Sequence, residues 1–85
     1  MDIAKTIEEI IERTKPFIGK SFPYYSRYEY PHGRMKEAKL IGVQENRPDR
    51  VPAAHLEITF TDGFKAEYTT GLPALYEHVI INMED

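Results

Sequence analysis

Apolar and polar positions repeat with a helical period at the start of the chain and with a strand period from about residue 35 onward. Ile3, Ile7, Ile10 and Ile11 recur at i, i+4, i+7 and i+8, which sets all four on one face of a helix over residues 2–14. Glu8, Glu9, Glu12 and Arg13 take the other side. Two starts fit this helix: Asp2 as its N-cap, or a capping box of Thr6 and Glu9 one turn later. Pro16 stops it, because the residue before a proline is pushed out of the helical region. A helix of three turns is marginal alone in water, so its isoleucine stripe must dock on the rest of the chain.

The clearest strand pattern is AAHLEITFTDGFKAEYTT. Ala54, Leu56, Ile58 and Phe60 alternate with His55, Glu57, Thr59 and Thr61, and Asp62-Gly63 then provides the positive backbone angles of a tight turn. The return strand offers Phe64, Ala66 and Tyr68 to one face. Before this hairpin, EAKLIGVQEN reads as a strand ended by the polar loop NRPDRVP, whose two prolines exclude a central strand. Phe17 to Phe22 reads as a short strand and His78 to Asn82 as a last one, since Val-Ile-Ile favours β structure. Between Thr70 and His78, GLPALYE reads as a short helical turn. The fold class predicted is α+β, mainly β: one domain over residues 1–85. In it an amphipathic helix at 1–15 packs on a small barrel or a four- to five-stranded antiparallel sheet at 17–82.

The order of these elements is a short strand, a long irregular loop, three consecutive strands, a short helix and a final strand. It resembles the SH3-like small-barrel superfamily, above all its Tudor-like members, in the stretch ITFTDGFKAEY followed by Leu72. The resemblance implies that Ser21 to Arg34 is the long loop after the first strand and LPALYE the short helix before the last. The ALYDY signature of polyproline-binding SH3 domains is not present, so that function is not carried over.

Composition narrows the function classes. A chain of 85 residues with 41% hydrophobic content builds one core. Zero cysteines exclude a disulfide framework, a thiolate nucleophile and a cysteine-type zinc site. No apolar run approaches the roughly 20 residues of a membrane span, and MDIAKTIEEII lacks the continuous apolar stretch of a signal peptide. A cytoplasmic protein without a membrane contact is expected. The net charge of −3 hides an asymmetry: residues 13–39 hold seven Lys or Arg against Glu29 and Glu37, a local +5, which leaves −8 on the rest. A basic sector on an acidic body orients anionic partners.

That sector contains the best lead to function. Tyr24, Tyr25, Tyr28 and Tyr30, four of the six tyrosines, fall in FPYYSRYEYPHGR together with Arg27, His32 and Arg34, and Lys36 follows. Tyrosines offer flat stacking faces with polar tips, and arginines meet phosphates or carboxylates. Strand-like alternation turns Tyr24, Ser26, Tyr28 and Tyr30 to one side and Tyr25, Arg27 and Glu29 to the other. Two readings compete: Phe22, Tyr24 and Tyr28 capping the core, or outward tyrosines and cations forming a binding surface. The binding surface takes Tyr24, Tyr25, Arg27, Tyr28, Tyr30, His32, Arg34 and Lys36. Its partner is another protein, Tyr and Arg being the side chains enriched at interaction hot spots. The alternative is single-stranded nucleic acid or a nucleotide-like anion held by stacking and phosphate contacts. The isoleucine helix offers a homodimer contact if its stripe stays exposed.

Catalysis is not expected. G-x-S-x-G, H-E-x-x-H and Gly-rich phosphate-loop motifs are not present in the chain. Ser26 and His32 lie close enough to pair, but nothing in the sequence orients the imidazole. His55 and Glu57, at i and i+2 on one strand face, read as an exposed cross-strand pair rather than metal ligands. No cofactor is expected.

Overall fold

The computed structural model describes residues 6–45 and 51–84. Asp2 and Ile3, the first N-cap candidate and the first isoleucine, lie outside the described residues, as does most of the polar loop NRPDRVP. Helix α1 spans Ile7–Thr14, and its start is the Thr6 cap: Glu9 N–H donates to Thr6 Oγ1 at 3.1 Å. Glu8 and Glu9 sit in the first turn and Arg13 in the last, each at the end of the helix dipole that suits its charge. Pro16 does not end the chain's winding at once. A 3-10 turn, Lys15–Phe17, follows with the proline in its first positions, where a missing N–H costs nothing.

Four antiparallel strands follow: β1 Ser21–Pro23, β2 Met35–Gln44, β3 Ala53–Phe60 and β4 Lys65–Gly71. They form one open sheet in the order β1-β2-β3-β4. The strand expected at Phe17 to Phe22 begins only at Ser21, because Lys15–Phe17 is wound into the 3-10 turn. The β3–β4 hairpin is as the alternation predicts, with Leu56 opposite Tyr68 and Ile58 opposite Ala66. Its loop closes through Gly63 N–H to Phe60 O and Phe60 N–H to Phe64 O, each 2.9 Å, and Gly63 has φ +92°. This is a three-residue loop with its glycine in the left-handed position.

The chain then becomes helical. Helix α2, Leu72–Leu75, runs into a π-helical stretch, Tyr76–Ile80, and a final turn, α3 Ile81–Met83. The short helix at GLPALYE is therefore present, but the strand expected at His78 to Asn82 is helical instead. β-Branched content gave way to burial: Tyr76 and Ile80, four residues apart, are both buried, and Leu72 and Leu75 lie on the same side. With that strand missing, the sheet has two edges, β1 and β4. The architecture is α+β with a four-stranded antiparallel sheet.

One core joins all elements. Leu40, Leu56, Ile58, Leu72, Tyr76 and Ile80 are buried together with Phe22, Phe60 and Ile11. Ile11 is the buried isoleucine of α1, whereas Ile7 is half-exposed. Arg13 Nη1 donates to Tyr76 Oη at 3.3 Å, and Tyr76 Oη donates to Glu84 Oε1 at 2.6 Å. One buried phenol thus ties α1 to the C-terminal helical segment. No helix among the described residues is long and apolar enough to cross a membrane.

Candidate functional site

The segment between β1 and β2 is irregular, and its conformation follows from a few local bonds. Ser26 Oγ donates to Tyr28 O at 2.8 Å and accepts from Met35 N–H at 3.1 Å. The hydroxyl bends the chain and straps the bend to the start of β2. Residues 30–33 close a tight turn in which Tyr30 and Gly33 exchange both backbone hydrogen bonds at 2.8 Å. That turn lies against the β3–β4 loop: Thr61 N–H donates to Arg34 O at 3.0 Å and Asp62 N–H to His32 O at 3.3 Å. Gly33 has φ +93°, and a Cβ there would run into the Thr61 hydroxyl. Glycine is needed for both reasons.

The eight residues read from the sequence divide into four groups. Tyr25, Arg34 and Lys36 come together, lining a cavity of about 320 Å3 with Ser26, Met35 and Thr61. Tyr25 and Lys36 also face a neighbouring hollow beside Pro23 and Glu37. Lys36 reaches this position through a β-bulge: the β2–β3 register shifts by one residue between Met35 and Glu37, leaving Lys36 unpaired with β3. A bulge re-aims the extra side chain. Its carbonyl is used on the other side, accepting from Tyr24 N–H at 3.2 Å. Sequence alternation does not reveal a bulge.

Tyr30 and His32 belong to a different cluster. Tyr30 meets Phe60 edge-to-face with centroids 5.7 Å apart, and His32 stacks on Phe64 at 3.8 Å and 8°. His32 Nδ1 lies 2.8 Å from Asp62 Oδ2, while Asp62 Oδ1 accepts from Phe64 N–H at 2.8 Å. The Phe64 N–H bond is the main cause that holds the Asp62 carboxyl below its ordinary range, and His32 adds to it. Phe60, Phe64, Thr61 and Asp62 were not read as site residues from the sequence. Their sequence signal is the aromatics flanking Asp62-Gly63.

Tyr24 is the third case. Its ring packs edge-to-face on Phe22 at 6.2 Å, and burial pushes its hydroxyl up from the ordinary value, with Tyr68 and Tyr30 contributing. The inward reading thus holds for Phe22 and in part for Tyr24, but not for Tyr28, which is 73% exposed. Tyr28 and Arg27 stand in solvent apart from the cavity. The expected alternation of Tyr24, Ser26, Tyr28 and Tyr30 fails because β1 ends at Pro23 and the Ser26 bend follows.

Charge is distributed unevenly among the basic residues. Lys15 pairs with Glu12 at 3.3 Å and Glu45 at 3.2 Å, and Arg13 lies 3.9 Å from Glu84. Among the described residues no carboxylate comes within ion-pair range of Lys20, Arg27, Arg34, Lys36 or Lys39. Among the described residues, the cations beside Tyr25 are therefore not neutralised by a carboxylate.

The catalytic possibilities are altered in detail. Asp62 does orient the His32 imidazole, contrary to the sequence expectation, but the Ser26 hydroxyl is engaged by backbone rather than by His32. His55 places Nδ1 3.0 Å from Thr69 Oγ1 and Nε2 3.2 Å from Gln44 Oε1, so both ring nitrogens are occupied. Among the described residues no three His, Asp or Glu side chains cluster as metal ligands. No family model, curated protein or solved structure matches the chain. The functional reading rests on geometry alone.

Proposed function

We propose that the protein is a non-enzymatic binding module that acts through the segment from Tyr24 to Lys36, as a protein-interaction domain of the inhibitor or adaptor kind. The observation that carries this reading is the exposure of Tyr25 and Tyr28, 78% and 73%, beside cations that no carboxylate among the described residues answers. A large aromatic left in solvent adds nothing to the core, and aromatic-plus-arginine surfaces are where interaction energy concentrates. The partner this favours presents carboxylates to Arg34 and Lys36 and an apolar group to Tyr25.

A second reading is favoured by one feature. Tyr25 forms a wall of the same cavity as Arg34 and Lys36, an arrangement that suits a stacked base with its phosphate. The ligand is then single-stranded nucleic acid or a nucleotide-like anion. An amide-resolved NMR titration with short mixed-sequence single-stranded DNA and RNA, at low and moderate salt, separates the two. Shifts centred on Tyr25, Arg34 and Lys36 that fade as salt rises support the nucleic-acid reading. No shifts, together with a captured protein partner that is lost in Tyr25→Ala and Arg34→Ala, support the interaction domain. No shifts, together with partners that Tyr25→Ala and Arg34→Ala retain unchanged, refute the use of this segment for binding.

A further inference from the structure

Strand β4 is an edge of the sheet, and its hydrogen-bonding parity can be worked out. Phe60 N–H donates to Phe64 O, so the hydrogen-bonded pairs with β3 continue at Ile58↔Ala66 and Leu56↔Tyr68. The N–H and C=O groups of Lys65, Glu67 and Thr69 therefore point away from the sheet. The opposite edge, β1, is three residues long and ends in Pro23, which protects it. β4 has seven residues, no proline and an unbroken register with β3.

The sequence of that edge is complementary to itself. About Ala66, Lys65 mirrors Glu67 and Phe64 mirrors Tyr68. We propose that a second copy of this chain pairs with β4 in antiparallel fashion about a twofold axis at Ala66, joining two sheets into one. Lys65 of each copy then lies opposite Glu67 of the other, and these are the residues whose backbone groups are free. On the helix-bearing face, Phe64 and Tyr68, 45% and 47% exposed, meet across the junction. Ala66 falls at the narrow, non-hydrogen-bonded self-pair, where Cα atoms approach to about 4.5 Å and a larger side chain would meet its own copy. A register centred on Glu67 sets like charges together, and one centred on Tyr68 forms no ion pair. Lys65 Nζ already lies 3.9 Å from Glu57 Oε1, so in the dimer it bridges two carboxylates.

Sedimentation equilibrium from micromolar to millimolar protein, with circular dichroism to verify folding, tests this. The expected result is a wild-type dimer that Lys65→Glu and Glu67→Lys each weaken about tenfold or more, since each reversal sets two like-charge pairs. The double reversal restores it. An independent variant, Ala66→Cys, in a chain with no other cysteine, oxidises rapidly to a covalent dimer because the paired Cα separation lies within disulfide range. Thr69→Cys does not. A wild type that stays monomeric throughout overturns the proposal, whatever other strand the edge accepts. So does a dimer that both single reversals leave unchanged, or one in which Ala66→Cys fails to cross-link.

Discussion

Gly33→Ala tests how the binding segment is held. Gly33 sits where the 30–33 turn meets the β3–β4 loop, with φ +93°. An alanine there faces two costs. The left-handed backbone costs an L-residue about 1–2 kcal/mol. The new methyl also collides with the Thr61 hydroxyl and comes within 3.2 Å of Thr61 Cβ. The Thr61 hydroxyl can escape only by leaving its rotamer or shifting its loop, a cost on the order of 1 kcal/mol that Thr61→Ala would remove. The sum is about 2–3 kcal/mol, a large part of the stability of a small domain. Urea unfolding followed by circular dichroism, for Gly33→Ala, Thr61→Ala and the double variant, separates the terms. Gly33→Ala with Thr61→Ala is expected to recover roughly 1 kcal/mol, the clash, while the backbone term stays. Amide shifts in Gly33→Ala should spread to Arg34 and Lys36, whose cavity shares Thr61. A Gly33→Ala protein within about 0.5 kcal/mol of wild type refutes the close-approach argument. A double variant no more stable than the single refutes the division of terms.

Further outcomes follow from the same structure. Leu56 is fully buried at the centre of the sheet, and Leu56→Ala should cost about 2–5 kcal/mol in urea unfolding. Tyr76→Phe removes the phenol that joins Arg13 and Glu84. It should cost about 1 kcal/mol and speed amide exchange at residues 11–14 and 81–84 more than within β3. Asp62 has its folded pKa depressed, so its contribution is present above the ordinary carboxylate value of about 4 and is lost as pH falls through the folded value. Wild type should therefore be more stable than Asp62→Asn at pH 7, and the difference should shrink toward pH 3. A difference that is constant with pH removes the carboxylate from the argument.

The sequence by itself determined what depends on neighbours within a few positions. The isoleucine spacing and the Thr6–Glu9 box specify α1, because capping and helical periodicity are local. Alternation from Ala54 to Phe60, with a glycine able to take positive φ at residue 63, specifies the hairpin for the same reason. The concentration of tyrosine and basic residues in 24–36 was legible as composition.

Only the tertiary structure decided what depends on contacts distant in the chain. His78 to Asn82 carries a strand-forming run, yet burying Tyr76 and Ile80 against the sheet and α1 favours a helix, since propensity is worth less than a core contact. Which tyrosine faces the cations was decided by the Ser26 bend and the bulge at Lys36, neither of which leaves a periodic trace. The pairing of His32 with Asp62 and Phe64 joins residues some thirty positions apart. It exists because the 30–33 turn and the β3–β4 loop meet at Gly33, a packing event that no local pattern encodes.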